Sequence, residues 1–194
     1  MNSHDKLDPA TWRPSARSQG RCNMVEILET ERLLLRQPRP SDAGAMTLYA
    51  GDKRVSGMTT SIPHPYSQQM ADAFIEQILA GNHREDVWAM DATPHDGAEF
   101  IGLISLKREA AEVGYWVGPP FWSTGYASEA LNAIIRHLLD DRGLAELNAS
   151  VFFDNPASQQ VLRKAGFAET GKTWLYSVAR EAEVPALTFR LGGA

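Results

Sequence analysis

Between Glu112 and Leu139 the chain passes from strand to tight turn to helix with few residues between them, and this limits the folds open to it. Glu112 to Val117 reads as a strand, which Pro119-Pro120 stops. The polar turn Ser123-Thr124-Gly125 follows. A helix pattern then begins, with Ala127, Ala130, Leu131, Ile134, Ile135, Leu138 and Leu139 on one face, the period of about 3.6 that marks an amphipathic helix. Such a junction leaves backbone N–H groups unpaired at the positive end of the helix dipole, where a phosphate binds well. A strand, a turn and a core helix alone account for most of these residues, with Gly125 supplying backbone freedom. The turn lacks G-x-G-x-x-G and has no G-K-[ST], so neither dinucleotide binding nor P-loop nucleotide hydrolysis is indicated.

A second segment has the same character. Glu146 to Phe152 reads as a strand, and Asn155-Pro-Ala-Ser-Gln-Gln-Val-Leu-Arg-Lys-Ala-Gly-Phe167 follows it. Asn155 suits an N-cap and Pro156 the first helical position. Arg163 and Lys164 fall in the last turn, and Gly166 fits just beyond it.

The two segments together resemble the GNAT superfamily of acetyl-CoA-dependent acetyltransferases. That family carries [QR]-x-x-G-x-[GA] between its fourth strand and third helix. Trp122-Ser-Thr-Gly125-Tyr-Ala127 matches the last two fixed positions and has Trp at the first. With G-Y-W before the loop and G-Y-A-S-E-A-L in and after it, the chain is similar to the branch of ribosomal-protein N-terminal (alanine/serine) acetyltransferases. Thr30-Glu-Arg-Leu-Leu-Leu-Arg36 and Pro40-Ser-Asp-Ala43 are similar to that branch's first strand and helix, and Asn155-x-x-Ser158 with Gly166-Phe167 to its later coenzyme-binding helix. The resemblance runs from about Glu29 to Leu191. It implies an α/β (α+β layered) fold, a mixed sheet splayed between its fourth and fifth strands, with helices on both faces. It also implies acetyl-CoA as co-substrate.

Composition is that of a globular enzyme. The 194 residues are 43% hydrophobic and 22% charged, enough for one domain with a full core. No apolar run is long enough to span a bilayer. The start shows no apolar stretch of the secretory kind. The single cysteine, Cys22, has no internal disulfide partner, which suits a cytoplasmic protein. The net charge of −5 argues against general nucleic-acid binding. The five histidines show no paired metal spacing, so no metal site is expected. Residues 1–24 lack apolar periodicity and are expected to be a poorly ordered extension, with residues 25–194 as the single acetyltransferase domain. Met24 lies just before the resemblance begins, which leaves the start codon open.

Other elements follow from pattern. A strand is expected near Leu33–Gln37, a helix after Pro40 with Ser41 as N-cap, and a helix over about Ser67–Ala80 with Met70, Phe74, Ile78 and Leu79 apolar. Val87–Asp91 and Phe100–Leu106 flank the turn His95-Asp96-Gly97, a hairpin signal. Two late strands near Trp174–Val178 and Ala186–Leu191 flank Arg180-Glu-Ala-Glu183. This order makes a layered α/β domain the natural choice.

The resemblance also sets expectations for chemistry. An amine attacks a thioester directly, which calls for an oxyanion donor, a base and help for the leaving thiolate. A backbone N–H near Val117 would polarise the carbonyl, and the pantetheine arm would pair with the exposed strand edge. The pyrophosphate would rest on the N–H groups of Trp122, Ser123, Thr124, Gly125, Tyr126 and Ala127. Asn155 and Ser158 complete the coenzyme site. Many family members carry a Tyr acid seven residues after the Asn. Leu162 stands there, so Ser158 is the expected helper of the thiolate, although a plain capping role explains it equally well. Glu112 is the first candidate base, on the strand face shared with Gly114 and Trp116. Glu181 and Glu183 come next and His64 last. Trp88, Trp116 and Trp122 are candidates for an aromatic substrate wall. The acceptor is an amine, on a small molecule or a protein N-terminus; no nucleic-acid or membrane partner is expected, and an oligomer is left open. The alternative reading is a coenzyme-binding regulatory or structural domain of the same fold without catalysis.

Overall fold

The computed structural model describes residues 25–192, so the expectations for residues 1–24, Cys22 among them, lie outside the described residues. Within that span the strands are β1 (Leu28–Glu29), β2 (Leu34–Arg36), β3 (Glu85–Asp91), β4 (Gly102–Lys107), β5 (Glu112–Val117), β6 (Glu146–Phe152), β7 (Ala168–Ser177) and β8 (Ala182–Gly192). The helices are α1 (Ala43–Ala50), α2 (Lys53–Ser56), α3 (Gln68–Leu79), α4 (Tyr126–Arg136) and α5 (Pro156–Lys164). The strands form one sheet in the order β1-β2-β3-β4-β5-β6-β8-β7. All neighbours are antiparallel except β5 and β6. Because β1, too short to read from pattern, adds a strand, the family's fourth strand is β5 here and the splay falls between β5 and β6.

Period-two alternation in β3 shows how the sheet is covered on both faces. Val87 and Ala89 pack with Met46 of α1 and Ala71 and Ile75 of α3. Trp88 and Met90 pack with Leu131 and Ile134 of α4 and Leu162 of α5. Every residue of β3 after Glu85 is buried, which explains its continuous run of burial. Fully burying one such apolar side chain stabilises the fold by about 1.5–3 kcal/mol. Truncating Leu131, with no exposure, would cost about 2–5 kcal/mol. After α4 the chain continues through a π-helical turn over His137–Asp141, which buries Leu138.

Several local expectations change. Ser67, expected inside the helix, instead caps α3, its Oγ accepting from Met70 N–H at 3.3 Å. The buried face of α3 is Ala71, Ile75 and Ile78, however, while Met70 and Leu79 are exposed. Ser41 does not cap α1. It lies in a 3₁₀ turn over Pro40–Asp42, where the Asp42 carboxylate accepts from Arg39 N–H at 2.7 Å. Asp42 is drawn there by Arg36, whose buried guanidinium also binds Asp91 at 2.7 Å. The late strands are longer than the apolar pattern suggests, and their turn falls over residues 178–181. The added length of β7, the edge strand, is largely polar and exposed, so it carries no apolar alternation.

Candidate active site

Strands β4 and β5 pair through six residue pairs, from Gly102↔Val117 to Lys107↔Glu112. Strands β5 and β6 pair only through Glu112↔Asn148. Asn148 holds that end, its N–H donating to the Ala111 carbonyl at 2.8 Å and its Nδ2 to Ala110 at 3.0 Å. Gly118 N–H donates to the Ile101 carbonyl at 2.8 Å. Antiparallel alternation therefore turns the polar backbone groups of Trp116 and Gly114 toward β4 and those of Tyr115 and Val117 toward the split.

The split opens a cavity of about 410 Å³. Its lining includes Tyr115 from β5, Asn155 just before α5, and Ser158 and Leu162 from α5. Asn155 is the N-cap, accepting from Ser158 N–H at 3.1 Å. Ser158 thus sits in the first turn, and its Oγ lies 2.9 Å from the Tyr115 hydroxyl. Burial pushes Tyr115 up to about 12, the bond to Ser158 opposing that shift without cancelling it. Leu162 is fully buried, and the phenols that line the cavity are Tyr115 from the strand and Tyr66 from the segment before α3. Tyr115 was missed as a site residue. Its signal was period two, which puts it on the strand face opposite Glu112 and Trp116 and toward α5.

The other end of the cavity is charged. Glu112 lines it and accepts from Lys107 Nζ at 2.9 Å, with His83 and Glu85 nearby in the lining. Glu112 stands five residues from Val117, roughly 16 Å along a strand. The other candidate bases are elsewhere. Glu181 occupies the β7–β8 turn, Glu183 is exposed on β8, and His64 Nδ1 lies 3.1 Å from the Gly51 carbonyl. None of the three is among the lining residues. Of the tryptophans, Trp116 lines the cavity, whereas Trp88 is fully buried in the core and is no part of a substrate wall.

The turn from β5 to α4 lies beyond the cavity lining. Trp122, at the departing position of the loop pattern, donates its indole N–H to the Val117 carbonyl at 2.6 Å. It ties the loop to the end of β5. Ser123 (φ 61°) and Gly125 (φ 87°) both take left-handed backbone. Only glycine adopts that region without strain. Thr124 Oγ1 donates to the Phe121 carbonyl at 2.6 Å, and Arg32 Nη1 to the Thr124 carbonyl at 2.9 Å. Arg32 also pairs with Glu129 in the first turn of α4 and stacks over the Tyr126 ring at 4.6 Å. Burial would raise the Glu129 carboxyl, but hydrogen bonds from Thr30 and Arg32 hold it below its ordinary range. Arg54 stands over the Trp122 ring at 5.4 Å. The N–H groups of Tyr126 and Ala127, in the first turn of α4, have no partner inside the helix. Two guanidinium groups thus flank the loop, Arg32 paired with Glu129 and Arg54 with Asp52 at 2.6 Å, and the unpaired N–H groups at the helix start favour an anion.

Among the described residues no group of His, Cys, Asp and Glu is placed to hold a metal ion, and no helix is long and apolar enough to cross a membrane.

The geometry agrees with what the chain is similar to. The family model of the acetyltransferase (GNAT) domain matches residues 32–168. The uncharacterized N-acetyltransferase YoaA of Bacillus subtilis (strain 168) is 34% identical over 158 residues, 76% of this chain and 86% of that protein. The ribosomal-protein-serine acetyltransferase of Escherichia coli (strain K12) is 36% identical over 78 residues, 38% of this chain and 44% of that protein. The solved structure of RimL, a ribosomal L7/L12 alpha-N-protein acetyltransferase in complex with coenzyme A, superposes with a TM-score of 0.71 at 18% identity, covering 86% of this chain and 98% of that one. The protein is an acetyltransferase and belongs to the GNAT family.

Proposed function

We propose that the protein moves an acetyl group from acetyl-CoA to a primary amine by direct attack in a ternary complex. One observation carries this reading: the split between β5 and β6 places free strand edge, Ser158 and Glu112 around one cavity. The pantetheine arm adds to the open edge of β5 as a strand does. Val117 N–H donates to the thioester carbonyl, and the pyrophosphate rests on the loop from Trp122 to Ala127 between Arg32 and Arg54. The amine enters from the charged end. Its nitrogen attacks the carbonyl carbon, a C–N bond forms, the C–S bond breaks, and the electron pair leaves on sulfur. Glu112, well down the strand from Val117, accepts the surplus proton of the nitrogen through a chain of waters. Ser158 faces the sulfur.

A protein N-terminus, with a pKa of about 7.7–8.0, asks less of that base than lysine at about 10.4. The names of the ribosomal-protein relatives support an N-terminal amine as acceptor. The single cysteine suits work in the cytoplasm. Incubation of acetyl-CoA with a panel of small amines and peptide N-termini tests the reading. N-acetylated product with intersecting initial-rate lines is expected. Tight coenzyme binding without transfer to any amine overturns it in favour of a non-catalytic coenzyme-binding domain.

A further inference from the structure

The hydroxyl of Ser158 has a side-chain neighbour in the cavity, the phenol of Tyr115. Tyr115 Oη lies 2.9 Å from Ser158 Oγ and 3.2 Å from the Ser158 carbonyl oxygen, so two oxygens of one residue converge on one phenol, and between the two hydroxyls either can donate. The phenol comes from β5 and the serine from the first turn of α5, and they meet across the open part of the split. Asn155 fixes the serine backbone through Ser158 N–H at 3.1 Å. Each hydroxyl carries one proton. When Tyr115 donates to Ser158 Oγ, the serine proton must point elsewhere, and the open direction is the cavity that both residues line.

We propose that Tyr115 is a positioning residue, aiming the Ser158 hydroxyl so that Oγ–H donates a hydrogen bond to the sulfur of departing coenzyme A. This rests on the acetyl-transfer reading above. When the C–S bond breaks, the sulfur holds the electron pair as thiolate. Ser158 keeps its proton and stabilises that charge, and the thiolate later takes a proton from water. Full transfer from Tyr115 through Ser158 to sulfur runs the wrong way. Burial pushes the phenol to about 12, while a thiol titrates near about 8.5, so the relay is disfavoured by roughly 10³-fold. The phenol stays protonated and serves as a fixed donor.

The test is the titration of the thiol in the complex of the full chain with coenzyme A, followed by the ultraviolet absorbance of the thiolate. In the unaltered protein the bound thiol should be more acidic than free coenzyme A. Tyr115→Phe, which removes one oxygen and keeps the ring, should weaken that acidity roughly tenfold, an ordinary value for one charge-assisted hydrogen bond. Ser158→Ala should weaken it by the same factor, and the double variant no further. Tyr115→Phe should lower kcat in parallel while the KM for acetyl-CoA holds. The proposal is overturned if Tyr115→Phe titrates like the unaltered protein, or if the two losses add. If that happens while the amine panel still yields product, positioning fails and acetyl transfer stands. If coenzyme A does not bind, both fail.

Discussion

The β4–β5 and β5–β6 borders share a strand yet differ in how far they close. Six residue pairs join β4 to β5, and one joins β5 to β6. Strand propensity does not separate them, since β6 is as rich in buried apolar residues as β4. Topology does. A short turn over residues 108–111 brings β5 back antiparallel to β4, whereas β6 returns parallel through α4, and parallel partners meet only after a long crossover. Past Asn148 the border is met by α5, whose Ser158 reaches Tyr115 in the gap. A sheet can thus be held firmly by one border and left open at the next. The open border supplies the unpaired backbone that an extended ligand needs.

The largest effect should come from breaking the closed half. Arg36 is buried between Asp42 and Asp91. Burial by itself would lower the basicity of Arg36, but the hydrogen bonds to the two carboxylates raise it above its ordinary value. Arg36→Ala leaves two carboxylates without their partner and should cost about 3–5 kcal/mol in urea unfolding, with coenzyme affinity of the folded fraction unchanged. Burial would also raise Asp91, but hydrogen bonds from Arg36 and Thr93 hold it below its usual range. A depressed carboxyl stabilises the fold above its unfolded value, near about 3.9, and that contribution is lost as pH falls through the folded value. Unfolding midpoints measured downward from pH 5 should therefore fall, and in Arg36→Ala less steeply.

On the open side, Glu112→Gln should lower kcat by about 10²-fold through loss of the base, without changing coenzyme affinity. Initial rates on the acceptor found by the amine panel check it. Gly125→Val should weaken coenzyme binding by about 10–100-fold in calorimetry, because a β-branched residue at φ 87° costs about 1–3 kcal/mol to hold in place. The smallest effect belongs to Lys107→Met. Lys107 is about half exposed where it meets Glu112, and a pair of this kind contributes about 0–1 kcal/mol. Its melting temperature should move by a few degrees at most.

Legibility in the sequence follows the same border. Gly125, Asn155 and Gly166 announced the turns and caps because each satisfies a local backbone demand, and the structure places Asn155 and Gly166 in those roles. The hairpin β3–β4 was readable from its turn. Tyr115 was not, because its role depends on a serine 43 positions away, brought near by the crossover. Arg32 was hidden for the same reason, reaching Thr124 and Glu129 from the start of the sheet. Ser41 misled because Asp42 beside it answered a buried arginine, a tertiary demand that overrode the local cap.

Amide hydrogen exchange, resolved by residue and compared with and without saturating acetyl-CoA, tests the central claim most directly. The account predicts slower exchange at Tyr115 and Val117 and in the first turn of α4, with the β3–β4 ladder unchanged. Exchange at Tyr115 and Val117 that stays the same while the coenzyme is bound would contradict it.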